Sequence, residues 1–218
     1  MRKCEVRKLG RIGYAEALEL QARLAGERKQ GLIPDQLLLL EHPHVITLGR
    51  NGDMKHVLAP ATVLERAGVS FFPTDRGGDA TYHGPGQLVG YPIFDLRDWK
   101  RDVVAYVRGV EEALIGALAE YGIAAGRVPS LTGVWVEGKK IAAIGVHISR
   151  WVTSHGFALN VNTDLNYFQY IVPCGLTRPV VSMAGLGVQT TVAEVSGRVA
   201  RHFGRVFDCE LTVAEESR

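Results

Sequence analysis

The sequence predicts an α+β fold, a mixed β-sheet flanked by helices, in a single domain spanning residues 1–218. Three observations predict it. Short apolar strand-like runs precede a long amphipathic helix, a hairpin pattern follows that helix, and a second amphipathic helix stands near the end of the chain. Strand and helix do not alternate regularly enough for a Rossmann arrangement.

The elements follow in order. Tyr14, Ala17, Leu18, Gln21, Leu24 and Ala25 recur at helical spacing, with Gly26 and Gly31 near the end of the run. Gln36–Glu41 is a short apolar run of the kind found in a buried strand; His42-Pro43-His44 interrupts it, and Val45–Leu48 resumes. Pro60 opens a short helix over 60–67, and Ser70–Pro73 is a short strand. Residues 87–94 read as a further strand. Val103, Tyr106, Val107, Val110, Leu114, Ala117, Leu118 and Tyr121 form one broad stripe on a helix over 102–121. Thr132–Val136, the turn Glu137-Gly138, and Lys140–Ser149 read as a β-hairpin, and 155–161 as the next strand. Thr191-Val-Ala-Glu194 has the form of a capping box, and Val192, Val195, Val199 and Phe203 form the stripe of the helix it opens.

Composition bounds the function. The 218 residues are 46% hydrophobic and 22% charged, which excludes disorder as a description of the whole chain. Net charge is +2, from 25 Lys and Arg against 23 Asp and Glu, too balanced to argue for nucleic acid as a partner. Residues 1–30 carry eight basic residues against four Glu, a local excess that reads as solvated surface or as a face for an acidic partner. The N-terminus is charged and lacks an apolar signal core, and no apolar run is long enough to span a bilayer. Three widely spaced cysteines, Cys4, Cys174 and Cys209, indicate neither a disulfide framework nor a zinc ribbon. A reducing cytoplasm is the expected compartment, and a metal or cofactor is not expected. His42 and His44 would share a face at strand spacing, but no carboxylate or thiol stands at a diagnostic distance to complete a metal site.

The segment 76–91 holds five glycines and one proline in sixteen residues. Such a loop brings backbone close to a ligand, or is simply structural. Hydrogen-bonding groups at Arg76, Thr81, His83 and Gln87 are interleaved along it, and Tyr82 can supply an aromatic wall. Neither the dinucleotide fingerprint nor the P-loop fits: the last glycine is misplaced for the first, and no Gly-Lys-Ser/Thr closes the second.

Arg76-Gly-Gly-Asp-Ala-Thr-Tyr-His83, with Gly86-Gln87, resembles the signature of the lipoyl/octanoyl transferases, also called lipoate–protein ligase B. The resemblance continues through Gly138-Lys-Lys-Ile-Ala-Ala-Ile-Gly145, His155-Gly-Phe-Ala-Leu-Asn-Val-Asn162 and Ile171-Val-Pro-Cys-Gly-Leu176. It implies a fold similar to the catalytic domains of biotin protein ligases and lipoate ligases. It also implies transfer of an octanoyl or lipoyl group from acyl carrier protein to a lysine of a lipoyl domain, the first step of endogenous protein lipoylation. The implied acceptors are the lipoyl domains of 2-oxoacid dehydrogenases and the glycine cleavage H protein. By resemblance, Cys174 and Lys140 are catalytic. The acyl pocket is expected from Arg76, Gly77, Gly78, Asp79, Ala80, Thr81, Tyr82 and His83, from Ala143, Ile144 and Gly145, and from Gly156, Phe157 and Ala158.

The residues themselves fit that chemistry. Pro173 and Gly175 flank Cys174 and favour a turn that presents the thiol. A thiol exchanges with a thioester at little thermodynamic cost and leaves an acyl group still reactive toward amines. A free thiol near pKa ~8.5 is largely protonated at neutral pH, so a nearby cation or base is required. Lys139 and Lys140 alternate on a strand, so they face opposite sides. Cys4 and Cys209 read as small buried hydrophobes. His83 is a candidate to orient an acyl carbonyl or to hydrogen-bond the nucleophile, and His155 is a second polar candidate. Backbone N–H groups at Gly77-Gly78 or at 143–145 are candidates for an oxyanion site. Two other readings remain open: an ATP-dependent lipoate or biotin protein ligase on the same scaffold, and an inert acyl- or carrier-binding protein.

Overall fold

A computed structural model describes residues 2–172 and 178–214. The chain runs β1 (Arg2–Arg11), α1 (Tyr14–Lys29), β2 (Asp35–Glu41), β3 (Val45–Leu48), α2 (Ala61–Arg66), β4 (Ser70–Pro73), β5 (Ala80–His83) and β6 (Gln87–Ile93). It continues α3 (Val103–Ala119), β7 (Gly126–Val128), β8 (Leu131–Val136), β9 (Lys139–Ser149), β10 (Val152–Asn160), α4 (Val192–Val206) and β11 (Cys209–Val213). Eight strands form one sheet in the order β11-β1-β2-β6-β10-β9-β8-β7, and three form a small sheet, β4-β3-β5. Both are mixed: β1 is parallel to β2 and β11, and β3 to β4, while the other pairs are antiparallel.

The unbroken apolar run of β2 has a direct cause: both of its faces are covered. Leu37 and Leu39 enter the core under α3 and α4, while Leu38 and Leu40 pack with Ala17, Leu24 and Ala25 of α1. Each such leucine contributes about 1.5–3 kcal/mol of burial. A third core, around Ile46, Leu64, Ala80, Tyr82 and Ile171, joins the small sheet to α2. The capping box of α4 is present, with Thr191 and Glu194 each satisfying the other's backbone, and Val195, Val199 and Phe203 are buried beneath it. The turn at Glu137-Gly138 has left-handed φ at both residues (49° and 75°), as a tight hairpin requires. α1 runs through Gly26 and ends at Lys29, just before Gly31.

β1 is the main element that hydrophobic patterning misses. Only Cys4 and Val6 of Arg2–Arg11 are buried. The strand is held at its other positions by polar pairs: Arg2 with Asp35, Arg7 with Glu5, and Arg7 Nε donating to Gln36 Oε1 at 2.8 Å. Arg28 reaches the same buried Asp35 at 2.8 Å and also pairs with Asp98. Of the basic residues in 1–30, Arg2, Arg7 and Arg28 are therefore committed to pairs within the fold, while Lys3, Lys8, Arg11 and Arg23 are exposed. Cys4 and Cys209 are free, buried thiols from paired strands β1 and β11. No helix among the described residues is long and apolar enough to cross a membrane.

Candidate active site

β9 and β10 pair so that Ala143 lies opposite Ala158 and Gly145 opposite Gly156. Alternation puts these four on one sheet face, with Ala142 and Phe157 on the other, among the core residues under α3 and α4. The result is a strip of sheet with almost no side chains, the floor of a groove. The glycine-rich segment and β5 form its opposite wall. Along β5, Thr81 and His83 line the groove, while Ala80 and Tyr82 turn into the core of the small sheet. Tyr82 there bonds His44 through its hydroxyl at 2.7 Å and stacks on Tyr167.

Arg76 holds that wall together. Its Nη2 donates to Thr47 O (2.8 Å), Thr47 Oγ1 (2.9 Å) and Asp79 O (2.6 Å), and its Nη1 to Gly77 O (3.1 Å). The loop then closes on the sheet, Gly77 N donating to Val146 O at 2.9 Å. That bond removes Gly77 N–H from the oxyanion candidates. A Cβ on Gly145 would stand 2.7 Å from Gly77 O, so this position requires glycine for the loop to lie down on the strand.

The groove is lined by Arg76, Gly78, Thr81, His83, Ala143, Ile144, Gly145, Gly156, Phe157 and Ala158, together with Tyr14, Tyr91 and His155. Of the residues expected at the pocket, Gly77, Asp79, Ala80 and Tyr82 stand behind this lining; Asp79 is in ion-pair contact with His56. Tyr14 and Tyr91 gave no sequence signal, because they reach the groove from α1 and β6 only through the fold.

A smaller pocket shares Thr81, Ala143 and Ala158 with the groove and extends it to Gln87, Asn160, Phe168, Val180 and Lys140. Lys140 is buried while Lys139 is exposed, as strand alternation predicts. Gly133 lies against its stem, and a Cβ there, at φ +121°, would stand 2.7 Å from Ala142 O, so the position requires glycine. Lys140 Nζ lies 4.9 Å from the ring centre of Trp135, and the Arg178 guanidinium 5.8 Å from the same ring. Cys174 lies outside the described residues. On one side of it, Val172 N donates to His56 O at 2.8 Å; on the other, Lys140 N donates to Pro179 O and Val181 N to Lys140 O.

The polar rings of the groove are each fixed by a hydrogen bond to a neighbouring side chain. His155 Nε2 meets Asp75 Oδ1 at 2.7 Å, and Tyr91 OH meets His42 Nε2 at 2.7 Å. His83 Nδ1 meets Gln87 Oε1 at 2.8 Å. The polarity of this last contact follows from two backbone carbonyls. Asn160 Nδ2 donates to Val181 O, and Gln87 Nε2 donates to Tyr82 O and to Asn160 Oδ1. Gln87 Oε1 must therefore accept, and His83 carries its proton on Nδ1. Burial, aided by the neighbouring His42, pushes the His83 pKa down to about 3, so the ring is neutral near pH 7. Burial also holds His155 below its ordinary value. At Asp75, burial is the largest influence and pushes upward, but the His155 hydrogen bond and the charges of His155 and His147 together outweigh it, and the net shift is downward.

His42 and His44 do not share a face. Pro43 breaks the strand between them, so period-two alternation fails; His42 joins Tyr91, and His44 joins Tyr82 and Tyr167. Arg150 sits in the β9–β10 turn, ten residues along from Lys140, a span of roughly 30 Å.

The model of the lipoyl protein ligase A/B catalytic domain matches residues 13–204. The chain belongs to that family. An octanoyltransferase of Solibacter usitatus is 70% identical over 211 residues, covering 97% of this chain and 96% of that protein. An octanoyltransferase of Koribacter versatilis is 54% identical over 210 residues, covering 93% and 84%. Among solved structures, lipoate-protein ligase A bound with ATP superposes with a TM-score of 0.80 at 19% identity, covering 98% of this chain and 90% of that one. Biotin protein ligase from Aquifex aeolicus, in complex with biotin and ATP, gives 0.57 at 12% identity, covering 95% and 71%. At these identities the two structures bear on the fold, and they agree with a mixed sheet flanked by helices.

Proposed function

We propose that this enzyme transfers an octanoyl, or lipoyl, group from acyl carrier protein to a lysine of a lipoyl domain, through a thioester on Cys174. The observation that carries the reading is the groove itself. It is a narrow channel floored by Ala143, Gly145, Gly156 and Ala158, and it ends at buried Lys140. An uncharged acyl chain fits such a floor, and a charged substrate does not.

In this mechanism the Cys174 thiolate attacks the donor thioester. The C–S bond to the carrier breaks, and the carrier thiol leaves with a proton. The ε-amine of the acceptor lysine then attacks acyl-Cys174, an amide C–N bond forms, and the Cys174 thiolate departs as the amine proton is taken up. Lys140 is the cation that favours the thiolate and the carrier of both protons. His83, neutral with its proton on Nδ1, serves as a wall and hydrogen-bond acceptor rather than as the proton carrier. The acceptors in this reading are the lipoyl domains of 2-oxoacid dehydrogenases and the glycine cleavage H protein, in a reducing cytoplasm that keeps the thiol available.

An ATP-dependent ligase would need a cation of the glycine loop for phosphate. Arg76 donates instead to Thr47 and to Asp79 O, which weighs against that reading. The test is transfer from octanoyl-acyl carrier protein to a lipoyl domain without ATP. Wild-type protein should turn over and Cys174→Ala should not; an ATP requirement, or turnover by Cys174→Ala, would contradict the proposal.

A further inference from the structure

The end of the groove away from Lys140 is closed by an unusual residue. His155 has φ +56°, a left-handed conformation in the middle of a strand, where a residue other than glycine is out of place. Regular alternation along β10 would send its side chain, like those of Phe157 and Leu159, toward α3 and α4. The left-handed backbone turns it to the opposite face instead, beside Tyr91 and into the groove lining.

Several contacts hold it there. His155 N donates to Gln21 Oε1 of α1 at 2.7 Å, and Nε2 meets Asp75 Oδ1 at 2.7 Å. Asp75 also reaches His147 Nδ1 at 3.2 Å, and Arg50 Nη2 meets that nitrogen at 2.7 Å. Asp75 immediately precedes Arg76, so it ties the start of the glycine loop across β9 to β10. At the same level, Gly77 N bonds Val146 O, and Val146 is the register partner of His155. The channel is thus crossed by backbone and by a side-chain clasp six residues along β9 from Lys140, about 20 Å. Backbone held so far from its relaxed state persists where surrounding contacts over-determine it, and such positions gather at functional sites.

We propose that His155, clasped by Asp75, is the end stop that sets the longest acyl chain the groove accepts. The inference rests on the acyl-groove reading above. The ring faces the chain terminus, its polar edge is turned away to Asp75, and further methylenes have nowhere to go. His155→Gly removes the stop and suits the left-handed backbone, so the variant keeps the fold. Asp75→Ala leaves the ring in place but frees it to move.

The experiment measures initial rates of covalent loading of the full-length protein by mass spectrometry. The donors are octanoyl, dodecanoyl, hexadecanoyl and octadecanoyl thioesters of acyl carrier protein, and melting curves verify folding. In His155→Gly the octadecanoyl-to-octanoyl rate ratio should rise by about tenfold or more, as expected when a pocket that excludes extra methylenes is opened. Asp75→Ala should move the ratio the same way by less. An unchanged ratio in both folded variants, or an equal fall at every chain length, overturns the end stop alone. A wild-type protein that loads no chain at all overturns the acyl-groove reading, and the end stop with it.

Discussion

Lys140 Nζ stands 4.9 Å from the ring centre of Trp135, while Lys139, its neighbour in sequence, faces solvent. Cation–π contact of this kind contributes about 0.5–2 kcal/mol and holds the ammonium in one place. If Lys140 favours the Cys174 thiolate, Lys140→Met should slow alkylation of Cys174 near neutral pH and displace the profile upward, toward an ordinary thiol near pKa ~8.5. Lys139→Met should leave the profile where it was. Equal effects of the two substitutions would mean that the buried lysine does not act on the thiol.

His83 and His42 are buried in their neutral forms, with pKa values pushed down to about 3 and about 4. Each is protonated more readily in the unfolded chain, near pH ~6.5. As pH falls from there toward the folded-state values, the unfolded state binds more protons, and stability drops. Each histidine adds a slope of up to about 1.4 kcal/mol per pH unit. Denaturant melts between about pH 6.5 and 4 should therefore be steeply pH-dependent, and His83→Asn should flatten that dependence. The same slope in the variant would contradict the buried neutral assignment.

Ala143 is half-buried on the groove floor, opposite Ala158. Ala143→Leu should fill the channel and reduce octanoyl loading by about tenfold or more. Acetyl loading should change far less, because a short chain stops before the obstruction. The comparison is a pair of initial rates on the same protein preparation, and parallel losses would place the acyl chain elsewhere.

If the acyl carrier protein docks through basic side chains at the mouth of the groove, Arg178 is placed to serve and Arg150 is not. Arg178, exposed and stacked on Trp135, is at the Lys140 end; Arg150 is roughly 30 Å away in the far turn. Acyl carrier proteins are acidic, so Arg178→Ala should lower kcat/KM for octanoyl-acyl carrier protein at low salt, by less than about fivefold given the ~1 kcal/mol of an exposed charge. Arg150→Ala should have no effect. A small neutral octanoyl thioester should be insensitive to both, and equal sensitivity of both donors would remove docking as the cause.

The fold was legible where burial follows a simple period. The run at 36–41, the stripes of α3 and α4, the capping box and the Glu137-Gly138 hairpin all carry their structure in local pattern. β1 was not legible, because its charges are satisfied by Asp35, Glu5 and Gln36 rather than left in water, and no periodicity records a partner thirty residues away. The groove divides in the same way. Alternation separates Lys140 from Lys139, and the small residues of the floor came from the family resemblance, whereas Tyr14, Tyr91 and Asp75 enter from other elements. The inward turn of His155 depends on one left-handed φ, which a histidine in a strand-like sequence does not advertise.

The covalent mechanism is tested most directly by the intact mass of the protein after incubation with octanoyl-acyl carrier protein, followed by peptide mapping. The mechanism predicts one octanoyl adduct, located on Cys174, discharged on addition of a lipoyl domain and missing in Cys174→Ala. Transfer to the lipoyl domain with no adduct on Cys174 at any time, or with an adduct on another residue, would contradict it.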